Sequence, residues 1–249
     1  MSIVKDIDIK VIDSKSANNF VKKHHYSGKV VQNSNLHFGA FYMGRLHGVM
    51  QYGTPMDKRK MLPLVEGTLW NEMLELNRMA FDDYLPKNSE SRCLSVSFKL
   101  IKKNAPHIKW ILSFSDGCQS GDGTIYRATG FYLTQIKKNT GLVKMPDGSV
   151  LARMTIDTSI HKTGVSYGNA IKNGAVPLNG FQLRYIKLLH KGLKLNCEIL
   201  PYSTIVEMGA GMYRGKKRVG GVESDTSGVH PEEGGALPTP TLIEELCQA

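Results

Sequence analysis

Apolar and polar residues alternate along the first 80 residues in patterns typical of strands and helices. The run IVKDIDIKVI places apolar residues at every second position and predicts a strand. The run ANNFVKKHH predicts a helix, with Ser14 or Ser16 as N-cap and an end near Gly28. Two alternating runs flank Gly44 and Arg45, which predicts a β-hairpin over residues 36–53. The run MLELNRMAF predicts the next strand.

The following segment continues the alternation of strands and helices. Residues 88–91 supply caps for a helix, SRCLSVSFKLIKKN, and the apolar run HIKWILSFSD predicts a central strand. Gly121-Asp122-Gly123 opens a short helix, TIYRAT, and FYLTQIKK predicts another strand. A turn at Asp147-Gly148 indicates a further hairpin. This order predicts an α+β fold, in which helices flank one mixed central β-sheet and extra strands follow toward the C-terminus.

Charge divides the 249-residue chain into two parts. The net charge is +10, but residues 1–218 carry all 32 Lys and Arg side chains and only 16 of the 22 acidic ones. Residues 220–249 are acidic and rich in Gly and Pro, with few residues that could form a core. We therefore predict a domain over residues 1–219 and a disordered tail over 220–249. A basic body of this size favours a polyanionic partner such as nucleic acid.

Several classes of protein are disfavoured by the sequence. No run approaches the ~18 consecutive apolar residues of a membrane span, so we expect no membrane partner. The first ten residues mix apolar and charged side chains, unlike a secretory signal, which predicts a cytoplasmic protein. The four cysteines are far apart and form no CxxC pair, so a disulfide framework or zinc site is not expected.

The first group of residues with catalytic chemistry is His24-His25-Tyr26-Ser27-Gly28, at the predicted end of a helix. Histidine exchanges a proton near neutral pH, and tyrosine can donate one. Two adjacent histidines point in different directions, so they are poor joint metal ligands. A histidine pair also favours a helix C-terminus electrostatically, and the pattern leaves the catalytic and structural interpretations open.

The second group joins Glu75-Leu76-Asn77-Arg78, at the end of a predicted strand, to the start of the next predicted helix. Backbone N–H groups at a helix start bind phosphate or carboxylate. Asn88, Ser89 and Ser91 are therefore candidate cofactor-binding residues. The intervening loop has no glycine-rich phosphate-binding pattern, so simple helix capping is the alternative.

The third group is Ser113-Phe114-Ser115-Asp116-Gly117, followed by the Gly-rich turn and Tyr126. A side chain at the carboxyl end of a buried strand faces the ligand crevice of an open sheet. Asp116 and Tyr126 could therefore act as base and as acid or orienting group. Their structural alternatives are a helix cap and a core tyrosine.

Together the three groups resemble the Mom family of phage DNA modification proteins. The resemblance lies in H-H-Y-S-G, in E-L-N-R followed by D-D and P-K-N-S-E-S-R, and in S-F-S-D-G followed by G-T-I-Y. These motifs share the family's order and spacing, over roughly half of the chain from residue 20 to residue 136.

The resemblance implies a GNAT-related acyltransferase fold and a transferase that acts on DNA. Proteins of this family convert adenine to its carbamoylmethyl derivative at the exocyclic amine N6, which protects phage DNA from host restriction. The positions that match the family's active site are His25, Tyr26, Arg78, Ser91, Asp116 and Tyr126. In this interpretation Tyr26 or Tyr126 positions an extruded base, and Asp116 takes the proton from the amine. Arg78 holds the donor's anionic group or the developing oxyanion.

The donor remains open between an acyl-CoA and an activated glycine derivative. GNAT enzymes carry Q/R-x-x-G-x-G/A before the helix that binds the coenzyme A pyrophosphate, whereas this chain has DDYLPKNSES. Glycyl transfer to the adenine amine, followed by migration of the ring to the glycine nitrogen, would also give the carbamoylmethyl product. The family has been associated with iron, for which the sequence offers no ligand set, so the metal ligands are unknown.

Two other functions compete with this interpretation. The chain could be a GNAT acetyltransferase for a protein or small-molecule amine, which the missing glycine-rich loop and the basic body disfavour. It could also be a DNA-binding protein without catalysis, in which the His, Tyr, Arg and Asp groups would be surplus. We expect double-stranded DNA and a small or carrier-bound donor as partners.

Overall fold

A computed structural model describes residues 3–213 and 216–217 of the chain. In chain order its strands are β1 Asp8–Val11, β2 Ser34–Tyr42, β3 Arg45–Gly53, β4 Met73–Phe81, β5 Trp110–Asp116, β6 Tyr132–Asn139, β7 Leu142–Lys144, β8 Val150–Ala152, β9 Val176–Pro177, β10 Gly180–Leu188, β11 Met212–Tyr213 and β12 Lys216–Lys217. Its α-helices are α1 Ser14–His24, α2 Lys58–Met61, α3 Ser89–Asn104, α4 Thr124–Ala128, α5 Arg153–Thr158, α6 Ile160–Thr163, α7 Tyr167–Lys172 and α8 Ser203–Glu207.

Seven strands form the main sheet in the order β1-β2-β3-β4-β5-β10-β6. All neighbours pair antiparallel except β4 and β5, which are parallel and are connected by α3. The sheet is therefore mixed, and the predicted α+β class with helices around a mixed central sheet is confirmed.

The two faces of the main sheet bury different elements. The face that we call the α1 face packs Ala17 and Val21 of α1 against Val49 and Ala80. Further along the same face, Trp110 and other apolar residues of β5 and β10 pack beneath residues 61–65. The opposite face buries the largest core, which includes the apolar residues of α3 and Tyr126 of α4.

Local chemistry explains the element ends. Asp13, rather than Ser14 or Ser16, is the N-cap of α1, and its carboxylate accepts a hydrogen bond from the Ser16 backbone N–H at 2.8 Å. The β2–β3 hairpin turns at Met43 and Gly44, both with positive φ, as a two-residue hairpin requires. Asn88 stands before α3 in the left-handed region, and its side chain makes no capping hydrogen bond, contrary to the predicted cap.

Between β6 and β10 the chain makes an excursion over residues 140–178, which we call the insertion. It contains a small sheet in the order β8-β7-β9 and the short helices α5, α6 and α7, around a core that includes Val143 and Ile156. The predicted turn at Asp147-Gly148 lies between β7 and β8. The extra strands are confirmed, but the three helices were not predicted, and β10 returns into the main sheet between β5 and β6.

The first predicted strand is shorter than expected, because Ile3–Asp6 forms a 3-10 helix before β1. Cys93, Cys118 and Cys197 are free thiols. Over residues 3–213 and 216–217, no helix has both the length and the apolar character needed to cross a bilayer. The predicted tail, residues 220–249, lies outside the described residues.

Candidate active site

The candidate site lies where β4 and β5 separate. Their parallel pairing covers Met73 to Glu75 on β4 and Trp110 to Leu112 on β5. Beyond Glu75 and Leu112 the two strands continue separately to Phe81 and Asp116. Separating parallel strands leave a crevice near their carboxyl ends, which is a typical place for a ligand in an open sheet.

His25 and Tyr26 reach this crevice from the end of α1. His25 is the C-cap of α1, and its ring lies 4.3 Å from the Tyr26 ring between centroids. The Ser27 backbone N–H donates to His25 Nδ1 at 3.2 Å, so Nδ1 is an acceptor and the ring proton is on Nε2. Burial and the nearby Arg78 guanidinium lower the pKa of His25 to about 4. His25 is thus a neutral hydrogen-bond donor at neutral pH.

His24 has a different environment from His25. Its ring stacks on Phe20 one turn earlier in α1, with the centroids 4.3 Å apart. The structure therefore separates the histidine pair, placing His25 in the crevice and His24 on the helix.

Asp116 meets Tyr26 at the end of β5. The Tyr26 hydroxyl donates to Asp116 Oδ2 at 3.3 Å, across 90 residues of sequence. The same oxygen accepts from Gln119 Nε2 at 2.9 Å, and Oδ1 accepts from the Cys118 backbone N–H at 2.9 Å. Partial burial and the Asp116 carboxylate raise the pKa of Tyr26, so its phenol stays protonated. These contacts fix Asp116 and aim the Tyr26 ring.

Arg78 enters the site through a β-bulge in β4. Gln51 of β3 pairs with Arg78, and the next residue, Tyr52, pairs with Leu76, so Asn77 is an extra residue in β4. This bulge places Glu75 and Arg78 on the same face of the sheet. Arg78 Nε donates to the Lys29 carbonyl at 3.1 Å, and Nη1 donates to the Asn77 carbonyl at 2.8 Å. The remaining guanidinium N–H groups of the fork are left for a ligand.

Glu75 was named in a motif but not predicted as a site residue, and the structure makes it prominent. It is opposite Leu112 in the last pair before the strands separate, on the same face as Arg78. Burial raises the pKa of Glu75 to about 7, although Arg78 and a hydrogen bond with Asn77 oppose this effect. An acidic residue within an apolar strand was the available sequence signal.

Tyr126 approaches the crevice from the other face of the sheet. Its ring is buried beside Phe131 and Tyr185, with centroids 5.1 and 5.0 Å away. Burial raises the pKa of Tyr126, a hydrogen bond with Ser113 lowers it and the charge of Glu75 raises it again. Tyr126 is therefore a core residue, as its structural alternative predicted, and its role as an acid or orienting group stays a prediction.

The predicted cofactor-binding residues form a separate group at the start of α3. Ser91 Oγ donates to the Asn88 carbonyl at 3.0 Å. Ser89 is 1% exposed, and within the described part of the chain its hydroxyl has no hydrogen-bond partner. An unsatisfied buried hydroxyl beside the first turn of a helix suits a phosphate, carboxylate or carbonyl oxygen of a donor.

The side chains of the site do not fit an iron centre. Among residues 3–213 and 216–217, no three His, Cys, Asp or Glu side chains are grouped so that they could hold a metal ion. His25 uses Nδ1 to accept hydrogen bonds from Ser27, and both oxygens of Asp116 accept hydrogen bonds from neighbours.

Comparison with known proteins decides the family. The model of the Mom protein family matches residues 6–204. The chain belongs to the Mom protein family. A relative within it is the protein named methylcarbamoylase mom of Escherichia phage Mu, which is 32% identical over 189 residues. That match covers 75% of this chain and 77% of the phage Mu protein. The resemblance drawn from the sequence motifs is thereby confirmed.

Solved structures similar to this Mom family member include acetyltransferases. The acetyltransferase from Bacillus subtilis in complex with CoA has 10% identity and a TM-score of 0.43, over 74% of this chain and 99% of that one. The ribosomal-protein-S18-alanine N-acetyltransferase from Escherichia coli has 11% identity and a TM-score of 0.42, over 76% of this chain and 99% of that one. Membership of the family rests on the sequence matches.

Proposed function

We propose that this protein is a DNA-modifying transferase that places a carbamoylmethyl group on the exocyclic amine of adenine in phage DNA. The observation that carries the proposal is the convergence of Tyr26, Glu75, Arg78 and Asp116 at the separation of β4 and β5. Membership of the Mom family and similarity to the phage Mu methylcarbamoylase support this substrate and product. Its place of action is the cytoplasm of the host cell.

Glu75 is the proton acceptor that we assign to the transfer step. The adenine amine attacks the acyl carbon of a glycyl donor, forming an amide C–N bond while the bond to the leaving group breaks, and the glycyl nitrogen then attacks ring carbon C6 and displaces the amide nitrogen, which gives the carbamoylmethyl product. The amine proton passes to the Glu75 carboxylate, and the leaving group departs with the bonding electron pair. A base with a pKa near the working pH is the most effective, and the pKa of Glu75 is about 7.

Arg78, Asp116 and Tyr26 assist by charge and position. The free N–H groups of Arg78 stabilise the oxyanion that develops on the donor carbonyl. Asp116 accepts three hydrogen bonds, which hold its carboxylate in place and suit it to orient Tyr26. Asp116 is the alternative proton acceptor that the sequence motifs predict, and this role stays a prediction.

The donor binds, in this proposal, at the start of α3. Asn88, Ser89 and Ser91 lie just beyond the end of β4, so a donor held there extends its reactive carbon along β4 toward Arg78. The buried Ser89 hydroxyl, which has no hydrogen-bond partner among the described residues, lies beside this proposed donor position. Both donor classes, an acyl-CoA and an activated glycine, present an acyl carbon and an anionic or carbonyl group to these residues.

Duplex DNA binds across the basic rim of the crevice. Lys22 and Lys23 are exposed in the last turn of α1, immediately before His25 and Tyr26, and Lys137 is exposed on β6. These side chains suit the phosphate groups on either side of an extruded adenine.

Restriction analysis tests the proposal. The protein is expressed in a bacterium, and its plasmid is digested with two sets of restriction endonucleases, whose sites either contain adenine or consist only of G and C. We expect protection at adenine-containing sites and normal cleavage at G/C sites, as in the empty-vector control. Full cleavage of both sets by a protein that is expressed and folded would contradict the proposed function.

A further inference from the structure

An open groove lies beside the candidate active site, between the main sheet and the insertion. Its volume is about 570 Å³, and its lining includes Gln182 of β10. Gln182 is paired directly with Asp116 of β5. Because paired residues of neighbouring strands point to the same face at a Cβ separation of ~5 Å, the groove is adjacent to the Tyr26–Asp116 contact.

Lys29 connects the insertion to the active site. Its Nζ donates to the Val150 carbonyl in the insertion at 2.9 Å, and its own carbonyl accepts from Arg78 Nε at 3.1 Å. One residue therefore contacts both the candidate oxyanion ligand and the insertion. The insertion, with the groove wall that it forms, is held next to the reacting groups.

The lining combines groups that are suited to a purine base. Gln182 is exposed, whereas the Asn139 side chain is held by the Gly141 N–H, which donates to its Oδ1 at 3.0 Å, and by a hydrogen bond with Cys118. Met154 is apolar and 59% exposed, as a surface for the flat face of a base would be. Arg153 pairs with Asp157 at 3.4 Å and lies over the Tyr167 ring at 4.8 Å.

We propose that this groove receives the adenine nucleotide that is extruded from DNA. Adenine presents its N6 amino group and N7 side by side, and an amide side chain can bind both. A Gln182 amide in this contact holds the base on the Tyr26 side of the crevice, while Met154 covers the ring and Arg153 meets a phosphate. The inference rests on the proposed function, because it takes adenine in DNA as the substrate.

The position of the groove favours the base over the donor as its occupant. The groove opens on the β10 side of β5, on the face that carries Asp116. The candidate donor residues follow β4, at the start of a helix that packs on the opposite face. The two substrates then approach the crevice from different sides, as transfer between them requires.

Oligonucleotide binding tests the groove without any donor. Fluorescence anisotropy compares labelled oligodeoxyadenylate with labelled oligothymidylate for the wild type, Gln182→Ala and Gln135→Ala. Gln135 is the matched control, an exposed glutamine on β6 that pairs with Arg184 and lies on the same face outside the groove lining. Circular dichroism verifies folding of each variant.

We expect the wild type to bind oligodeoxyadenylate more tightly than oligothymidylate. In Gln182→Ala the ratio of the two affinities should fall by about 5- to 150-fold, which corresponds to the loss of one bidentate base contact. Binding of oligothymidylate by Gln182→Ala should be unchanged, and Gln135→Ala should behave as the wild type. An unchanged preference in Gln182→Ala, or an equal loss in Gln135→Ala, would overturn the proposal.

Photo-crosslinking adds a direct location. An oligonucleotide that contains 8-azidoadenine should crosslink to the peptide that contains Met154, and a crosslink to the start of α3 instead would overturn the assignment.

Nucleoside analysis keeps the two proposals distinct. Modified adenine made equally by wild type and Gln182→Ala refutes the groove alone, whereas a Gln182-dependent adenine preference without any modified nucleoside supports the groove and refutes the proposed function.

Discussion

Replacing Glu75 with glutamine should lower activity and raise stability in the same protein. The pKa of Glu75 rises from its ordinary value of 4.5 to about 7 because burial disfavours the charged carboxylate. Glutamine keeps the size and the capacity for a hydrogen bond with Asn77, but it carries no charge and cannot accept the amine proton. We expect the rate to fall by about 10²–10⁴, the usual contribution of a positioned acid or base.

The stability effect has a defined sign and pH range. A carboxyl whose pKa is higher in the folded state binds more protons there than in the unfolded state, so stability falls as pH rises from 4.5 through about 7. At about 1.4 kcal/mol for each pKa unit, the ionised Glu75 costs about 3 kcal/mol above pH 7. Glu75→Gln should therefore match the wild type near pH 4.5 and exceed its free energy of unfolding by up to that amount above pH 7.

Two measurements check this prediction. Urea unfolding gives the free energy of unfolding across the pH range, and the yield of modified nucleoside gives the rate. In the wild type the rate should rise with pH through about 7 as Glu75 ionises. The residual rate of Glu75→Gln should show no such rise near pH 7.

Glu72→Gln is the matched control. Glu72 makes a 2.8 Å ion pair with Lys109, and hydrogen bonds from Lys109 and from the Leu69 backbone N–H lower the pKa of this carboxyl. This variant should lose stability above pH 4.5 and keep its activity. A Glu75→Gln protein with wild-type nucleoside yield, or with reduced stability above pH 7, would refute the reasoning.

Three further predictions concern Asp116, salt and the tail. Asp116→Asn should reduce nucleoside yield by less than about 10²-fold in a folded protein, because Asp116 orients Tyr26; a larger loss would identify Asp116 as the proton acceptor. Affinity for duplex DNA should fall by about 10³-fold or more between roughly 50 and 200 mM salt if about six phosphates are contacted, and a flat response measured by anisotropy would exclude phosphate-dominated binding. Truncation after Val219 should leave nucleoside yield intact, and loss of yield in a folded, soluble truncation would make residues 220–249 part of the enzyme.

Elements with strong local signals could be predicted closely. The strand MLELNRMAF coincides with β4, and α3 ends at Asn104, as the following Ala105-Pro106 requires. The position of β10 between β5 and β6 could not be predicted, because the insertion separates β10 from both partners in the sequence. Hydrophobic periodicity identifies a strand but does not specify its neighbours in a sheet.

The candidate site shows the same limit. The motifs brought Tyr26 and Asp116 together across 90 residues, and the structure places them in contact. Glu75 was passed over as a site residue because the burial that raises its pKa comes from tertiary packing and not from its sequence neighbours. The groove at Gln182 was missed for a related reason, since the insertion and β10 form it jointly.

Mass spectrometry of nucleosides tests the central claim most directly. Plasmid DNA from bacteria that express the wild-type protein, or an empty vector, is digested completely to nucleosides and analysed. We expect a deoxyadenosine that carries one added carbamoylmethyl group, present with the wild type and absent from the empty vector. Unmodified deoxyadenosine from cells that contain the folded protein would contradict it.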